Sequence, residues 1–419
     1  MEPITAGAWL FGLGLWCLLF SLNALRPFYR PGWAALLSFL AGWPTAELPW
    51  HHLAWQAALV LWWSLAGGLD TQLGRAGLGL FVLAWAGLGL CAWEALAARR
   101  ALARALAGLL GAPPPAAPRP ARLGLALPWP VRPREVRRVG NLVYREAAGR
   151  RGRLDLFYSP QAGPGPRPLL LQIHGGGWVL GDKRQQGLPL MHLLARRGWL
   201  CAAAGYRLAP GVRLPGQVED LQHAIAWLRA RAAEHGGDPR FLVLTGGSAG
   251  GHLCSLLALL GAEPGAERPA ALAGADLSAQ GCIPFYGIYD LWDEGWRYPN
   301  GGLRTLMERQ VIGRPAAEAE ALYKALSPIH RLSPAAPPFL LIHGTRDSMA
   351  PLAVARRFRA QLGEVSRSPV DLLEVEGAQH AFEVFPSVRC LAAIEAAADW
   401  ADALWARHRA ARAGGVSSR

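Results

Sequence analysis

The sequence predicts an α/β fold, a mostly parallel central sheet with helices on both faces, preceded by an N-terminal module of transmembrane helices. Three observations carry this. The N-terminal quarter is almost free of charge, with only Glu2, Arg26, Arg30, Glu47, Asp70, Arg75 and Glu94 before Arg99. A proline-rich stretch, GAPPPAAPRPAR at 111–122, then interrupts the chain. From about residue 131 onward, short apolar runs alternate with amphipathic stretches, the pattern of βα units.

A bilayer-spanning helix needs about 20 mostly apolar residues. Residues 5–25 meet that length, and so do residues 48–69, which carry His51 and His52 near their start. Residues 76–93 form a third span, stopped by Glu94 and then by Arg99 and Arg100. Residues 31–46 are apolar but short, with Pro44 near the end; they read as interfacial or re-entrant, and a fourth span stays open. A cleaved signal peptide fits residues 5–25 poorly, because no basic start precedes them and further apolar segments follow. With three spans, Arg26 and Arg30 share a side with Arg99, Arg100 and Arg104, which puts the following domain in the cytoplasm. With four, the arginines divide almost evenly and the rule decides little. The expectation is a multi-pass protein of a bacterial inner membrane. Its module covers 1–110, a semi-rigid linker 111–130, a catalytic domain 131–410 and a frayed basic tail 411–419.

The net charge of +13 is almost wholly arginine, since Lys183 and Lys324 are the only lysines. Such a surface favours anionic lipid headgroups. No basic run alternates with aromatics and no nucleic-acid motif occurs, so nucleic acid is not an expected partner. The cysteines, Cys17, Cys91, Cys201, Cys254, Cys282 and Cys390, show no metal-ligand spacing and read as buried thiols. No metal or cofactor is called for, and oligomeric state is left open.

In the second domain, alternating apolar residues at 134–146 and 153–158 predict strands. PLLLQI (168–173) is a continuous apolar run, as expected for a strand buried on both faces. A helix at 188–197, a strand at 199–205 and an amphipathic helix at 218–234 follow. Then come a strand at 241–245, a helix at 250–260, strands at 282–286, 339–342 and 370–375, and helices at 352–362 and 387–408. Ligands of such sheets bind beyond the carboxyl ends of the strands, and the polar signatures sit there.

Gly246-Gly247-Ser248-Ala249-Gly250 follows a strand and opens a helix, and fits G-x-S-x-G, in which a sharp turn exposes the serine oxygen as a nucleophile. His174-Gly175-Gly176-Gly177-Trp178 follows PLLLQI. Its glycines let backbone amides approach a substrate oxygen, so Gly176 and Gly177, with Ala249, are the expected oxyanion donors. A phosphate loop is disfavoured because the G-K-[ST] ending is missing. His174 reads as a brace for the loop. A serine needs a base. His380, directly after the last strand, suits that role better than His330, His343 or His408. Asp347, after the strand at 339–342, can hold the imidazole in the correct tautomer, with Asp371 and Asp290 as the other acids in reach.

These residues together resemble the hormone-sensitive-lipase-like carboxylesterases of the α/β-hydrolase superfamily, from about 154 to 400. The resemblance rests on HGGGWVLGDK (174–183), YRLAP (206–210), GGSAGGHL (246–253), GTRD (344–347) and QHAF (379–382). It implies an α/β-hydrolase fold and ester hydrolysis through an acyl-enzyme without metal or cofactor. The triad would be Ser248, Asp347 and His380, and the oxyanion hole Gly176, Gly177 and Ala249. Many members carry an acidic residue just before the serine, where this chain has Gly247. The GGSAGGHL form is closer to prenylcysteine-methylesterase-like and kynurenine-formamidase-like enzymes. YRLAP and the Glu219-Asp220 pair read as scaffold.

Residues 290–329 are not a clean βα unit, and their aromatics suit a lid or acyl pocket. Trp292 and Trp296, with Trp178 and Tyr286, are the expected pocket residues. Membrane attachment suggests a hydrophobic, lipid-derived ester and contact with membrane lipid. The same triad would serve an amidase or formamidase. A catalytically silent hydrolase fold acting as receptor or scaffold is disfavoured by the presence of all three side chains.

Overall fold

The structure is a computed structural model that describes residues 2–111, 127–163, 165–266, 268–293, 298 and 301–416. Four helices open the chain: α1 (Pro3–Leu25), α2 (Gly32–Glu47), α3 (Pro49–Leu65) and α4 (Gln72–Leu110). Among the described residues, 4–25 in α1 and α4 are long and apolar enough to cross a membrane. These two helices run side by side in the same direction. Gly7 faces Thr71, Gly14 faces Gly77 and Gly87 faces Ser21. A Cβ on Gly77 would stand 2.6 Å from the backbone of Leu10 and Phe11, so the seam closes only because small residues line it.

The module departs from expectation in two ways. The helix predicted at 76–93 does not stop at Glu94 but continues to Leu110, where Gly111 turns left-handed (φ 69°). Its charges are absorbed by the next domain: Glu94 takes two hydrogen bonds of 2.7 Å from Arg346, and Arg99 lies 3.6 Å from Glu395. Farther along, Leu102 and Leu106 are buried in the core of the sheet domain. The segment 48–69 is a helix of 17 residues followed by a 3₁₀ turn, Gly68–Asp70. At about 1.5 Å per residue that helix reaches about 25 Å, the lower end of the length that spans a bilayer. The segment 31–46 is helical as α2, with Pro44 inside its last turn. Residues 112–126 of the expected linker lie outside the described residues.

The sheet has eight strands: β1 (Arg137–Val143), β2 (Arg153–Tyr158), β3 (Arg167–Ile173), β4 (Leu200–Ala204), β5 (Gly237–Gly247), β6 (Gly281–Phe285), β7 (Phe339–Gly344) and β8 (Val370–Val375). Their order is β1-β2-β4-β3-β5-β6-β7-β8. The β1–β2 and β2–β4 pairs are antiparallel and the others parallel. Covering helices are α5 (Leu188–Arg196), α6 (Leu214–Arg231), α7 (Ala249–Ala262), α8 (Gly301–Leu306), α9 (Glu320–Ala325), α10 (Leu352–Val365) and α11 (Val388–Val416). Strand alternation builds two cores. Leu169, Leu171 and Leu244 face α6, α7 and α10, whereas Leu170, Val243 and Ile283 face α5, α11 and the end of α4. Of the tail expected to fray, residues 411–416 prolong α11, where His408 stacks on Trp405 and Arg412 reaches Asp238 at 3.4 Å, and 417–419 lie outside the described residues.

The small-residue seam makes a direct prediction. Gly77→Val should destabilise the detergent-solubilised protein by about 1–3 kcal/mol, the usual cost of overpacking. Thermal unfolding checks it, and an unchanged midpoint would mean that α1 and α4 are not closely packed.

Candidate active site

Three loops at the carboxyl ends of the parallel strands converge. Ser248 sits between β5 and α7 with φ 58° and ψ −119°, a conformation that non-glycine residues adopt only when the surroundings enforce it. Its amide donates to the Phe285 carbonyl at 3.0 Å, and its carbonyl accepts from the His252 amide at 2.9 Å. The start of α7 lies beneath it and favours negative charge. Gly175, at the end of β3, presses against this turn: a Cβ there would stand 3.2 Å from Ser248 Cβ and 2.5 Å from the Gly247 carbonyl.

The loop after β8 brings His380 Nε2 to 2.8 Å from Ser248 Oγ. Its Nδ1 lies 2.7 Å from Asp347 Oδ2. A carboxylate only accepts, so Nδ1 carries the proton, and bare Nε2 accepts from the serine hydroxyl. Asp347 is buried in the loop after β7. Burial by itself would raise its carboxyl. The facing His380 and hydrogen bonds from His343 and His380 overcome this and hold it well below the usual carboxylate range. Its other oxygen accepts from the Met349 and Ala350 amides at 2.9 and 2.7 Å. His343, a competitor for the base, stands behind Asp347 and donates to the Ala350 carbonyl at 2.8 Å. Gln379 ties the two loops, its Oε1 accepting from Ser348 N at 2.7 Å and His380 N at 2.9 Å.

Gly176 and Gly177 have φ of 115° and 59°, which turns the loop over Ser248. Among the described residues their amides and that of Ala249 donate to no protein acceptor. His174 stacks on Tyr206 (4.4 Å between centroids), which also donates to the His174 carbonyl at 2.9 Å. Burial lowers His174 to about 4, so it braces the loop as a neutral ring. In the expected scaffold, Asp220 receives Arg145 and Arg207.

Two expected pocket residues, Trp178 and Trp292, turn away from the site, and Tyr286 stands against the His380 ring. Trp178 is fully buried, with Nε1 3.3 Å from His252 Nδ1, because its left-handed backbone (φ 62°) turns the ring into the core. Tyr286 is also fully buried; its ring lies 4.6 Å from that of His380 and its hydroxyl donates to Glu383. Trp292 packs on Tyr323 and under Lys324, within the insert's own core. Trp296 lies outside the described residues. Asp290 reaches Arg357, not the site. A cavity of about 500 Å³ lined by Trp129, Val131, His192 and Leu391 touches none of Ser248, His380 and Asp347.

Sequence reasoning missed two side chains of α2. Phe39 meets the His380 ring edge-on at 5.9 Å, and Trp43 donates to the Ala381 carbonyl at 2.9 Å. Hydropathy marked α2 as apolar, but nothing local tied it to residue 380.

This sheet order, with a serine on a strand-to-helix turn, defines an α/β hydrolase. A family model described as BD-FAE matches residues 154–362. The chain is 38% identical to "Probable carboxylic ester hydrolase LipM" of Mycobacterium tuberculosis, over 88% of this chain and 87% of that protein. It is 36% identical to the esterase LipQ of the same organism, over 64% and 63%. Among solved structures, a butyrate-bound esterase of Thermogutta terrifontis matches with 30% identity and a TM-score of 0.50, over 62% of this chain and 91% of that one. The chain belongs to this family of α/β-hydrolase carboxylesterases, and it is a carboxylic ester hydrolase.

Burial pushes the Glu383 carboxyl up to about 7, against the hydrogen bond from Tyr286. The folded protein therefore holds this proton more tightly than the unfolded chain does. The resulting stability is full below the ordinary carboxylate range and is lost as pH rises through about 7. Glu383→Gln keeps an acceptor for Tyr286 but has no proton to lose. The melting temperature of the wild type should therefore fall relative to that of the variant between about pH 5 and 8. Parallel melting curves across that range would contradict the assignment.

Proposed function

We propose that the protein is a membrane-anchored serine esterase that cleaves carboxylic esters through an acyl-enzyme on Ser248. The observation that carries this reading is the continuous hydrogen-bonded series from Ser248 Oγ through the His380 imidazole to Asp347 Oδ2. As Ser248 Oγ attacks the ester carbonyl carbon, its proton passes to His380 Nε2. The carbonyl oxygen becomes an oxyanion facing the amides of Gly176, Gly177 and Ala249. Collapse breaks the bond to the alkoxy group, which leaves as an alcohol with the proton from Nε2. Water then attacks the acyl carbon, gives a proton to Nε2, and a second collapse releases the acid and restores Ser248. Throughout, Asp347 keeps its negative charge, holds Nδ1–H and stabilises the transient imidazolium.

Anchoring is supported by the two long apolar helices, 4–25 in α1 and α4, and by the exposure of Trp9, Trp16, Leu19, Val82, Leu83 and Trp93 on them. The similarity to LipM spans a share of this chain that the sheet domain alone cannot supply, so it reaches into the N-terminal module as far as α4.

The membrane fraction should be labelled by a fluorophosphonate probe, and Ser248→Ala should abolish the labelling. Asp347→Asn should keep the fold and lower kcat on p-nitrophenyl butyrate by about 10⁴-fold, through the wrong imidazole tautomer. Labelling that survives in Ser248→Ala would place the nucleophile elsewhere.

A further inference from the structure

The helix α2 touches the catalytic rim along its whole length. Ser348 Oγ donates to the Ala35 carbonyl at 3.4 Å, and Phe39 and Trp43 meet His380 and Ala381. Beyond them, Arg389 Nη1 donates to the Ala46 carbonyl at 3.0 Å and Ser387 Oγ to Glu47 at 2.6 Å. Positions 35, 39, 43 and 46 form one helical stripe. A second stripe meets α1: Ser38 exchanges hydrogen bonds with Asn23, and Gly42 abuts Asn23 and Ala24. The third stripe is left largely uncovered by the described residues. Trp33, Leu36, Leu37 and Leu40 are 70%, 46%, 58% and 54% exposed.

Four large apolar side chains bared on one face of a helix packed on its other sides need a cover. The chain itself indicates which. Exposed Leu15, Leu19 and Leu22 of α1 and exposed Phe28 precede this stripe along the chain. The corner between the helices carries Arg26, Tyr29 and Arg30, all exposed. Basic and aromatic residues flanking an apolar span mark the membrane–water interface. The rim around Ser248 adjoins this helix through the His380 loop. One side is the glycine-rich loop with exposed Leu180; another is α8, whose Leu306 would lie 3.5 Å from a Cβ on Gly177; and α2 contacts α8.

We propose that α2 is an interfacial wall of the active site: its outer stripe lies in one lipid leaflet while Phe39 and Trp43 hold the histidine loop. Ser248 then receives a water-insoluble, long-chain carboxylic ester whose alkyl chain is still in the bilayer. This rests on the reading of Ser248 as nucleophile. Phe39 acts through His380 and is a positioning residue.

Full-length protein in phosphatidylcholine vesicles tests the proposal. All native cysteines are buried, so Leu37→Cys can carry a nitrobenzoxadiazole fluorophore. Its emission should be quenched by doxyl-labelled lipid and not by aqueous iodide; the reverse result overturns the placement. Leu37→Asp should lower hydrolysis of p-nitrophenyl palmitate held in the vesicles at least tenfold relative to hydrolysis of p-nitrophenyl acetate in water. An unchanged ratio overturns the role in substrate delivery. Fluorophosphonate labelling separates the two levels. If the wild type is not labelled at Ser248, the esterase reading falls with the proposal. If it is labelled while the ratio is unchanged, only the role of α2 falls.

Discussion

The 2.8 Å hydrogen bond between Ser248 and His380 joins groups from opposite halves of the sheet domain, and the chemistry proposed here needs it held to a few tenths of an ångström. Ser248 is held by its own backbone, strained between β5 and α7. His380 has no such support, since it lies on a loop whose Ala381 is itself left-handed (φ 59°). Its position is over-determined from outside instead. Asp347 holds its ring, Gln379 its amide, Trp43 the next carbonyl, and Arg389 Nε the Glu376 carbonyl at 2.8 Å. One of these partners, Trp43, belongs to the N-terminal module.

That contact is part of a broader junction. Arg389 is fully buried, and a buried guanidinium is tolerated only when its donors are all used and charge lies nearby. Besides Glu376, it donates to the carbonyls of Ala46 and Cys91, and Glu47 and Glu94 lie at 3.8 and 3.6 Å. Glu94 also clamps Arg346, the neighbour of Asp347. Removing one member would leave the others desolvated and unpaired, so the group resists separation as a unit. The apolar helices are therefore fastened to the rim of the hydrolase domain through side chains. The N-terminal module and the sheet domain share a buried polar interface, and the orientation of the site relative to α1 and α4 follows from it.

Sequence chemistry is informative where function depends on neighbours along the chain. The turn around Ser248, the glycines before Trp178 and the apolar runs of β3 and β7 are local signatures, and each element lies within a few residues of its expected place. It is uninformative where function depends on what packs from elsewhere. Trp178 and Trp292 are aromatic in a plausible place, yet both serve cores, because a residue's type does not say which way its backbone turns it. Glu94 after an apolar run looks like the end of a span, and only the fold supplies the arginine that lets the helix continue. Hydropathy measures α2 against lipid and has no term for His380.

Gly247 shows how such a non-local constraint appears in one position. In many members of the family an acidic residue precedes the serine. Here a Cβ on residue 247 would stand 2.5 Å from the Tyr286 hydroxyl and 2.9 Å from its ring, so a side chain at 247 and this tyrosine exclude each other. The tyrosine in turn brings a carboxylate of its own, because its hydroxyl donates to Glu383. A carboxyl group near the imidazole is thus supplied from the loop that carries His380 rather than from the Ser248 turn. A carboxylate three residues beyond the histidine moves with it, and its burial biases it toward the protonated form. In its protonated form Glu383 adds little charge beside His380 and leaves Asp347 as the dominant negative group there. The glycine is then not a lost acid but the space that one tyrosine needs to stand between His380 and Glu383.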